Sequence, residues 1–177
     1  MLKRLRTAVN SLRKGSGSGY RPAAAPPQPR LIISESALHA MQENLAPEIA
    51  KRHEGIAYLF GQTDGETTIV VGAVRPQART TRGSFDVPSA AMAKVVRKAN
   101  DAGLQVVGQI HTHPGQAYHS DGDIEGARIA YNGFISIVVP DYGRHLPSLT
   151  RAAAYFYRNK AFLKFEVGGI TVTNGRF

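Results

Sequence analysis

The sequence predicts an α/β fold in which helices flank a mixed β-sheet. Segments with helical periodicity alternate with short apolar segments typical of strands, in the order β-α-β-β-α-β-α-β-β-β. Apolar residues make up 42% of the 177 residues, enough to build a sizeable core. The chain has no cysteine, which excludes disulfides, cysteine nucleophiles and thiolate-ligated zinc fingers. Any bound metal would therefore need His, Asp or Glu ligands.

The first 30 residues differ in composition from the rest. Residues 1–30 contain seven basic residues and no acidic one, so they carry +7 of the formal net charge of +9. Residues 15–30 are rich in Gly, Ser and Pro, as linkers are. We predict a basic, disordered tail over 1–30 and a single domain over 31–177. The alternative for residues 1–14 is a short amphipathic helix that binds an acidic membrane surface or a partner.

The domain is predicted to begin with a strand and a long helix. Residues 31–34, LIIS, are typical of a strand. Ser34 or Ser36 can cap a helix that extends to about Arg52. Pro47 lies inside this span, so we expect the helix to be kinked or split there.

A hairpin and a second helix follow. Residues 55–62 and 67–76 are predicted strands, and the Asp64-Gly65 turn joins them. Residues 88–102 predict a helix that ends at Gly103. The remaining predicted elements are a strand over 104–113 that ends in histidines, a third helix from about Ser120, and three late strands over 134–140, 152–158 and 162–167. Asn159-Lys160 joins the last two of these strands.

Residues 108–123, GQIHTHPGQAYHSDGD, hold the side chains that suggest chemistry. His111 and His113 are two apart on a predicted strand, so their rings leave the same face of the sheet. Pro114 ends the strand, which places both imidazoles at an end of the sheet. The following loop can fold back and bring the Asp123 carboxylate to them. Two imidazoles and one carboxylate leave a coordination position open, which is typical of catalytic zinc.

Each feature of this segment also has a simpler interpretation. A His-x-His pair on a strand is often only a surface pair. The segment from Ser120 to Asp123 has the pattern of a helix capping box. Capping and metal binding are compatible, because the cap would hold the carboxylate of Asp123 rigid.

Two further residues are candidates for catalysis. Glu54 opens an otherwise apolar strand, where it is either an exposed first residue or a general acid/base beside a metal ion. The hydroxyl of Ser120 could donate to the oxyanion of a tetrahedral intermediate. Tyr118 and His119 lie in the same loop, and we predict no functional role for them. The other histidines have no supporting pattern and are expected to be structural: His39, His53 and His145.

At these residues the sequence resembles the JAB/MPN (JAMM) zinc metalloprotease family. The family pattern is a Glu on an early strand, then His-x-His-Pro, a short loop and Ser-x-x-Asp, and the resemblance covers essentially all of 31–177. It implies a cytidine-deaminase-like α/β fold and one catalytic Zn²⁺. It implies these roles: metal ligands His111, His113 and Asp123, general acid/base Glu54, and oxyanion donor Ser120.

The sequence departs from the family pattern in two places. The loop between Pro114 and Ser120 has five residues, one fewer than the commonest form. Ala57 stands where many members have glycine, although Gly61 matches their second glycine. Neither departure removes a catalytic group. The shorter loop is expected to change how a substrate tail is bound.

The resemblance is greatest to bacterial JAB proteins that accompany ubiquitin-like conjugation genes. It implies a deubiquitinase-like isopeptidase that cleaves after the C-terminus of a ubiquitin-like protein and works beside activating and conjugating enzymes. One alternative is a peptidase that releases sulfur-carrier proteins or small amine-linked adducts. Another is a non-catalytic scaffold or nucleic-acid binder acting through the basic tail. We expect a cytoplasmic protein without a membrane span and without a specific nucleic-acid partner.

Overall fold

A computed structural model describes residues 29–175. The predicted basic segment and its alternative helix lie outside the described residues, apart from residues 29 and 30. Within the described part of the chain, no helix is long and apolar enough to cross a membrane.

Ten strands and three α-helices make up the regular structure of residues 29–175. In chain order they are β1 (Arg30–Ser34), α1 (Glu35–Lys51), β2 (Ile56–Thr63), β3 (Thr67–Val74), β4 (Arg79–Thr80), β5 (Phe85–Asp86), α2 (Ser89–Asp101), β6 (Gln105–Thr112), α3 (Asp121–Glu125), β7 (Ile135–Val139), β8 (Ala153–Arg158), β9 (Ala161–Phe165) and β10 (Ile170–Thr173). Two short 3-10 helices, Asp141–Gly143 and Val167–Gly169, complete the set.

Eight of these strands form one mixed sheet in the order β10-β1-β3-β2-β6-β7-β8-β9. β1 runs parallel to β10 and β3, and β6 runs parallel to β7. The other neighbours in the sheet are antiparallel. This arrangement confirms the predicted mixed sheet flanked by helices. β4 and β5 form a separate two-stranded hairpin.

α1 covers one face of the sheet with an apolar stripe. Ala37, Met41 and Leu45 lie one helical turn apart and are completely buried. They pack on the side chains of the central strands, such as Leu59 on β2 and Ile110 on β6. This face holds the larger apolar core.

α2 covers the opposite face and forms a second core. Ala91, Val95 and Ala99 form its buried stripe. They pack with β2 side chains such as Tyr58 and with Phe134. β2 and β6 therefore contribute side chains to the α1 core on one face and to the α2 core on the other.

The caps predicted from local sequence are present. The Oγ of Ser34 accepts from the backbone N–H of Ala37 at 3.1 Å and begins α1. The helix continues through Pro47 to Lys51 as one element, so the expected split is absent. α2 stops where Gly103 adopts a positive φ of 68°.

Three features were not predicted from the sequence. The β4–β5 hairpin has strands of two residues, too short for a periodic signal. β10 is a short strand whose only described pairing is with β1, at the far end of the chain. β2 begins at Ile56, so Glu54 lies just before the strand instead of opening it.

Candidate metal centre

β6 brings the two histidines of the motif to one point. His111 is opposite Ile56 of β2 and Val138 of β7, so it lies in the middle of the sheet and is completely buried. His113 follows the strand and still donates its backbone N–H to the carbonyl of Val139 at 2.9 Å. The two ring centroids are 5.2 Å apart, so the rings lie on one side as the spacing predicted.

A capping box holds Asp123 at the start of the one-turn helix α3. The backbone N–H of Asp123 donates to the Oγ of Ser120 at 3.2 Å. In return, the backbone N–H and the hydroxyl of Ser120 each donate to Asp123 Oδ2 at 2.8 Å. The predicted capping box is therefore confirmed, and it aims the carboxylate of Asp123 toward the histidines.

The three side chains present their donor atoms to one another. His111 Nε2 is 3.2 Å from Asp123 Oδ1, and His113 Nε2 is 3.2 Å from Asp123 Oδ2. All three donor atoms lie within 4.8 Å of one another. Ligands of one tetrahedral ion are about 3.3–3.6 Å apart, close to the 3.2 Å of these two contacts, so the three side chains could hold a single metal ion.

Burial around His111 also fits a metal ligand. Neither ring nitrogen of His111 makes a hydrogen bond of good geometry among the described residues, although the side chain is fully buried and Nε2 lies 3.2 Å from Asp123 Oδ1. Buried imidazole nitrogens normally find a partner, and a metal on Nε2 would satisfy one of them. Burial lowers the pKa of His111, despite the nearby Asp123, which favours the neutral ring that binds metals.

The other two donors influence each other's charge. Burial acts to raise the pKa of Asp123, but its contacts with His111 and His113 outweigh burial and hold that pKa well below its usual range. Burial acts to lower the pKa of His113, but Asp123 and Glu54 outweigh burial and raise it. Asp123 is thus a carboxylate at neutral pH, the form that binds a cation.

Glu54 lies in a cleft beside these donors. The cleft has a volume of about 200 Å³, and Glu54, Ser120 and Asp123 all line it. The side chain of Glu54 is buried, so it is not the exposed residue of the alternative interpretation. Burial raises the pKa of Glu54, the positive charge of His113 lowers it, and Asp123 raises it further; the net shift is upward.

The backbone around Glu54 is held from both sides. The N–H of Glu54 donates to the carbonyl of Thr81 in the β4–β5 hairpin at 2.8 Å. The N–H of the next residue, Gly55, donates to the hydroxyl of Thr112 at 2.8 Å. A Cβ on Gly55 would come within 2.9 Å of Glu48 Cβ on α1, so only glycine lets the chain pass there.

His119 anchors the loop between the histidines and α3. Its Nε2 bonds Ser136 Oγ at 2.7 Å, and its ring stacks on Tyr155 with centroids 4.0 Å apart. The backbone N–H of His119 donates to the Tyr155 hydroxyl at 3.0 Å. Burial lowers the pKa of His119 to about 4, so the ring is neutral at pH 7. No role was predicted for this residue, because its partners come from distant strands.

The remaining predicted residues lie outside the cluster of donors. Tyr118 is exposed and meets the His113 ring edge-on, with centroids 5.1 Å apart. Three histidines were expected to be structural: His39, His53 and His145. None of them belongs to the group of possible metal ligands found in residues 29–175.

Comparison with known proteins agrees with this geometry. The family described as prokaryotic homologs of the JAB domain matches residues 34–152, most of the chain. The chain belongs to the JAB family. The sequence is also 30% identical over 135 residues to the "Probable metalloprotease y4jG" of Sinorhizobium fredii (strain NBRC 101917 / NGR234), covering 74% of this chain and 83% of that protein.

A solved structure shows the same fold. The solution structure of protein DSY2949 from Desulfitobacterium hafniense superposes with a TM-score of 0.60 at 17% sequence identity. The superposition covers 82% of this chain and 94% of that one. The JAB domain described here therefore has a sheet and helix arrangement already seen in solution.

Proposed function

We propose that this JAB-family protein is a zinc-dependent peptidase that hydrolyses the amide or isopeptide bond after the C-terminus of a ubiquitin-like protein. The observation that carries the proposal is the convergence of His111, His113 and Asp123 beside the buried carboxylate of Glu54. Membership of the JAB family and similarity to a probable metalloprotease support a metal-dependent hydrolase. Zinc suits two imidazoles and one carboxylate with an open position.

His111, His113 and Asp123 would hold the ion. When bound, zinc supplies a Lewis acid that lowers the pKa of a water and polarises the carbonyl to be cleaved. The neutral ring of His111 and the carboxylate of Asp123 are already in their metal-binding forms at neutral pH.

Glu54 would move the proton during hydrolysis. Its carboxylate takes one proton from the attacking water, and the remaining hydroxide oxygen bonds to the acyl carbon. The C–N bond then breaks, and Glu54 gives its proton to the leaving amine. Burial raises the pKa of Glu54, which favours both the uptake of this proton and the protonated form that acts as the acid in the second step.

Ser120 would stabilise the oxyanion. In the structure its hydroxyl donates to Asp123 Oδ2, so it must turn toward the substrate to serve this role. The backbone N–H of Ser120 donates to the same oxygen, which keeps Asp123 in place while the hydroxyl turns. The role therefore needs a rotation of only one side-chain torsion.

The β4–β5 hairpin forms one wall of the cleft and would guide the substrate tail. Gly83, Ser84 and Phe85 of the hairpin line the same cavity as Glu54. An extended tail can bind such a wall through backbone hydrogen bonds, which recognise the shape of the chain more than its side chains. A slender C-terminal tail of a ubiquitin-like protein suits this narrow space.

The experiment that tests the proposal is a substrate trap. Glu54→Gln keeps the three metal ligands and the cleft but removes the group that moves the proton, so turnover should fall about 10²- to 10⁴-fold. The variant is expressed in the native host and captured, and mass spectrometry identifies the proteins bound to it. His113→Ala, which loses a ligand, is the matched control.

A ubiquitin-like protein or its conjugate, enriched on Glu54→Gln and absent from His113→Ala, would support the proposal. Elemental analysis should find about one zinc per chain in Glu54→Gln. Full activity of Glu54→Gln on a ubiquitin-like precursor would refute the proposed mechanism. One stable partner or nucleic acid bound equally by both variants would point to the scaffold alternative.

A further inference from the structure

We propose that Arg128 and Tyr58 form a carboxylate-binding subsite in the active-site cleft, and that the leaving group is an amino acid or short peptide with a free carboxylate. This inference rests on the proposed function and narrows its substrate class. It favours release of an amine-linked amino acid or a C-terminal extension over release from a lysine side chain of a folded protein.

Arg128 provides the positive charge of this subsite. It follows α3 and lines the cleft together with Glu54 and Asp123. Its side chain is 50% exposed, and its closest acidic neighbour is Asp86, whose Oδ1 lies 3.7 Å from Arg128 Nη2. This distance is too long for a hydrogen bond, so the guanidinium N–H groups remain available to a ligand.

The charge of Asp86 is already matched by another residue. Arg79 Nη2 donates to Asp86 Oδ2 at 2.6 Å across the β4–β5 hairpin. Two guanidinium groups therefore face one carboxylate, which leaves one positive charge uncompensated on this wall. The other acids that line the cleft, Glu54 and Asp123, belong to the metal centre.

Tyr58 contributes a neutral hydrogen-bond donor on the floor of the cleft. Its side chain is 2% exposed and lines the same cavity as Arg128. Among residues 29–175 its hydroxyl makes no hydrogen bond, and it is not one of the fully buried polar atoms that lack a partner, so it is open to the cleft. Burial raises the pKa of Tyr58 to about 12 against the opposing charge of Arg128, so the hydroxyl keeps its proton at neutral pH.

A guanidinium beside a phenol hydroxyl fits a carboxylate. The planar fork of arginine donates two parallel N–H bonds to the two oxygens of a carboxylate, and the phenol can add a third. The cleft of about 200 Å³ is smaller than the 300–1,000 Å³ that encloses a drug-sized ligand. Because Arg128 and Glu54 line one small cleft, a carboxylate bound to Arg128 would lie close to the bond that is cleaved.

This position of the carboxylate distinguishes two kinds of leaving group. The amino acid released from an α-linked C-terminal extension has a free carboxylate next to the new amine. A lysine side chain within a protein has none, because its own carboxyl group is part of the backbone. Arg128 would therefore select the first kind.

Binding measurements with a matched pair of ligands test the subsite. The ligands are acetyl-Gly-Gly-Ala and its C-terminal amide, which differ only in the carboxylate. Calorimetry in the Glu54→Gln background measures both, with the protein metal-free and with it zinc-loaded. In the metal-free arm the carboxylate of the ligand cannot bind to zinc, so any preference for the acid must come from the protein. The acid should bind about 10- to 100-fold more tightly than the amide in both arms.

Variants of the subsite assign the preference to its residues. Arg128→Gln should abolish the preference, and Arg128→Lys should retain part of it because the charge remains without the fork. Tyr58→Phe removes only the hydroxyl and should reduce the preference several-fold. Arg97→Gln, on the exposed side of α2, is the matched control and should leave it unchanged.

Equal affinity for acid and amide, no measurable binding of the acid, or a preference that survives Arg128→Gln would each overturn the subsite. Turnover by the zinc-loaded native protein tests the proposed function separately. Equal cleavage of acid and amide substrates would support the peptidase and overturn the subsite. An acid preference in binding that depends on Arg128, without cleavage of any peptide, would support the subsite and overturn the peptidase.

Discussion

Ile110 and His111 are neighbours on β6 and both are fully buried, yet their surroundings have little in common. Ile110 points toward α1, into a core built almost entirely of apolar side chains. His111 points toward the opposite face, where its ring meets those of His113 and His119. Burial of Ile110 stabilises the fold directly, whereas burial of an imidazole without hydrogen bonds opposes folding.

The comparison shows that one strand serves two purposes because its side chains alternate between faces. The α1 face contributes most of the apolar burial, and it carries no donor from the metal cluster. The α2 face holds polar groups at the end of the sheet, including both ring nitrogens of His111, which make no hydrogen bond of good geometry among residues 29–175. Substitutions on the two faces should therefore separate stability from activity.

The largest expected effect is on metal binding and, through it, on hydrolysis. Asp123→Ala removes one of three donors, so metal content should fall to background and hydrolysis at least about a thousandfold, since a metal supplies several kcal/mol. Asp121→Ala changes an exposed acid on the same short helix and is the control. It should keep both the metal and the hydrolytic activity. Elemental analysis and a peptide-cleavage assay measure the two quantities. Stoichiometric metal in Asp123→Ala would exclude the proposed ligand set.

The next largest expected effect is on stability, from a substitution on the α1 face of the sheet. Leu45→Ala removes a fully buried side chain of α1, which should lower the free energy of unfolding by about 2–5 kcal/mol. Activity per folded molecule should not change. Leu163→Ala, at a half-exposed position, should change stability by about 0.5 kcal/mol or less. Denaturant titration measures both variants. Loss of metal in folded Leu45→Ala would show that the two faces are coupled.

Two serines that cap helices allow a sharper comparison. Ser34→Ala on α1 should cost about 1 kcal/mol of stability and leave kcat unchanged. Ser120→Ala should lower kcat about 10²- to 10³-fold with little change in the melting temperature, because α3 is only one turn. Kinetics and thermal melts measure the pair. If Ser120→Ala lost metal as well, its main role would be to hold Asp123.

The smallest expected effect is on the melting temperature, through the free-energy cost of burying the charged carboxylate of Glu54. Its pKa is raised by burial, so the folded protein binds its proton more tightly than the unfolded chain does. The contribution of Glu54 to stability therefore falls as pH rises from its unfolded pKa through its raised folded pKa. Metal-free Glu54→Gln should melt slightly above metal-free native protein at neutral pH, and the difference should vanish in acid. A lower melting temperature for this variant would contradict the assignment.

Much of the fold followed from local patterns in the sequence. The cap at Ser34, the capping box from Ser120 to Asp123 and the histidines two apart depend on residues close together in the chain. The Asn159-Lys160 turn is another case, since both residues adopt the positive φ that a two-residue hairpin needs. Such features depend on backbone geometry that neighbouring residues set themselves.

Features that depend on distant residues could not be predicted. The β4–β5 hairpin has no periodic pattern, yet Thr81 within it holds the backbone of Glu54. The partners of His119, Ser136 and Tyr155, lie on other strands. Arg128 enters the cleft only because the chain after α3 returns there.

The identity of the donor atoms and their local orientation could be predicted from the sequence alone. A period of two on a strand aligns His111 with His113, and a capping box orients Asp123; both follow from the covalent geometry of a few residues. The 3.2 Å contacts of Asp123 with both histidines, and the position of Glu54 and Arg128 in one cleft, depend on the tertiary structure. The physical reason is that burial of two apolar cores positions the strands and loops, and the site is assembled where their ends converge.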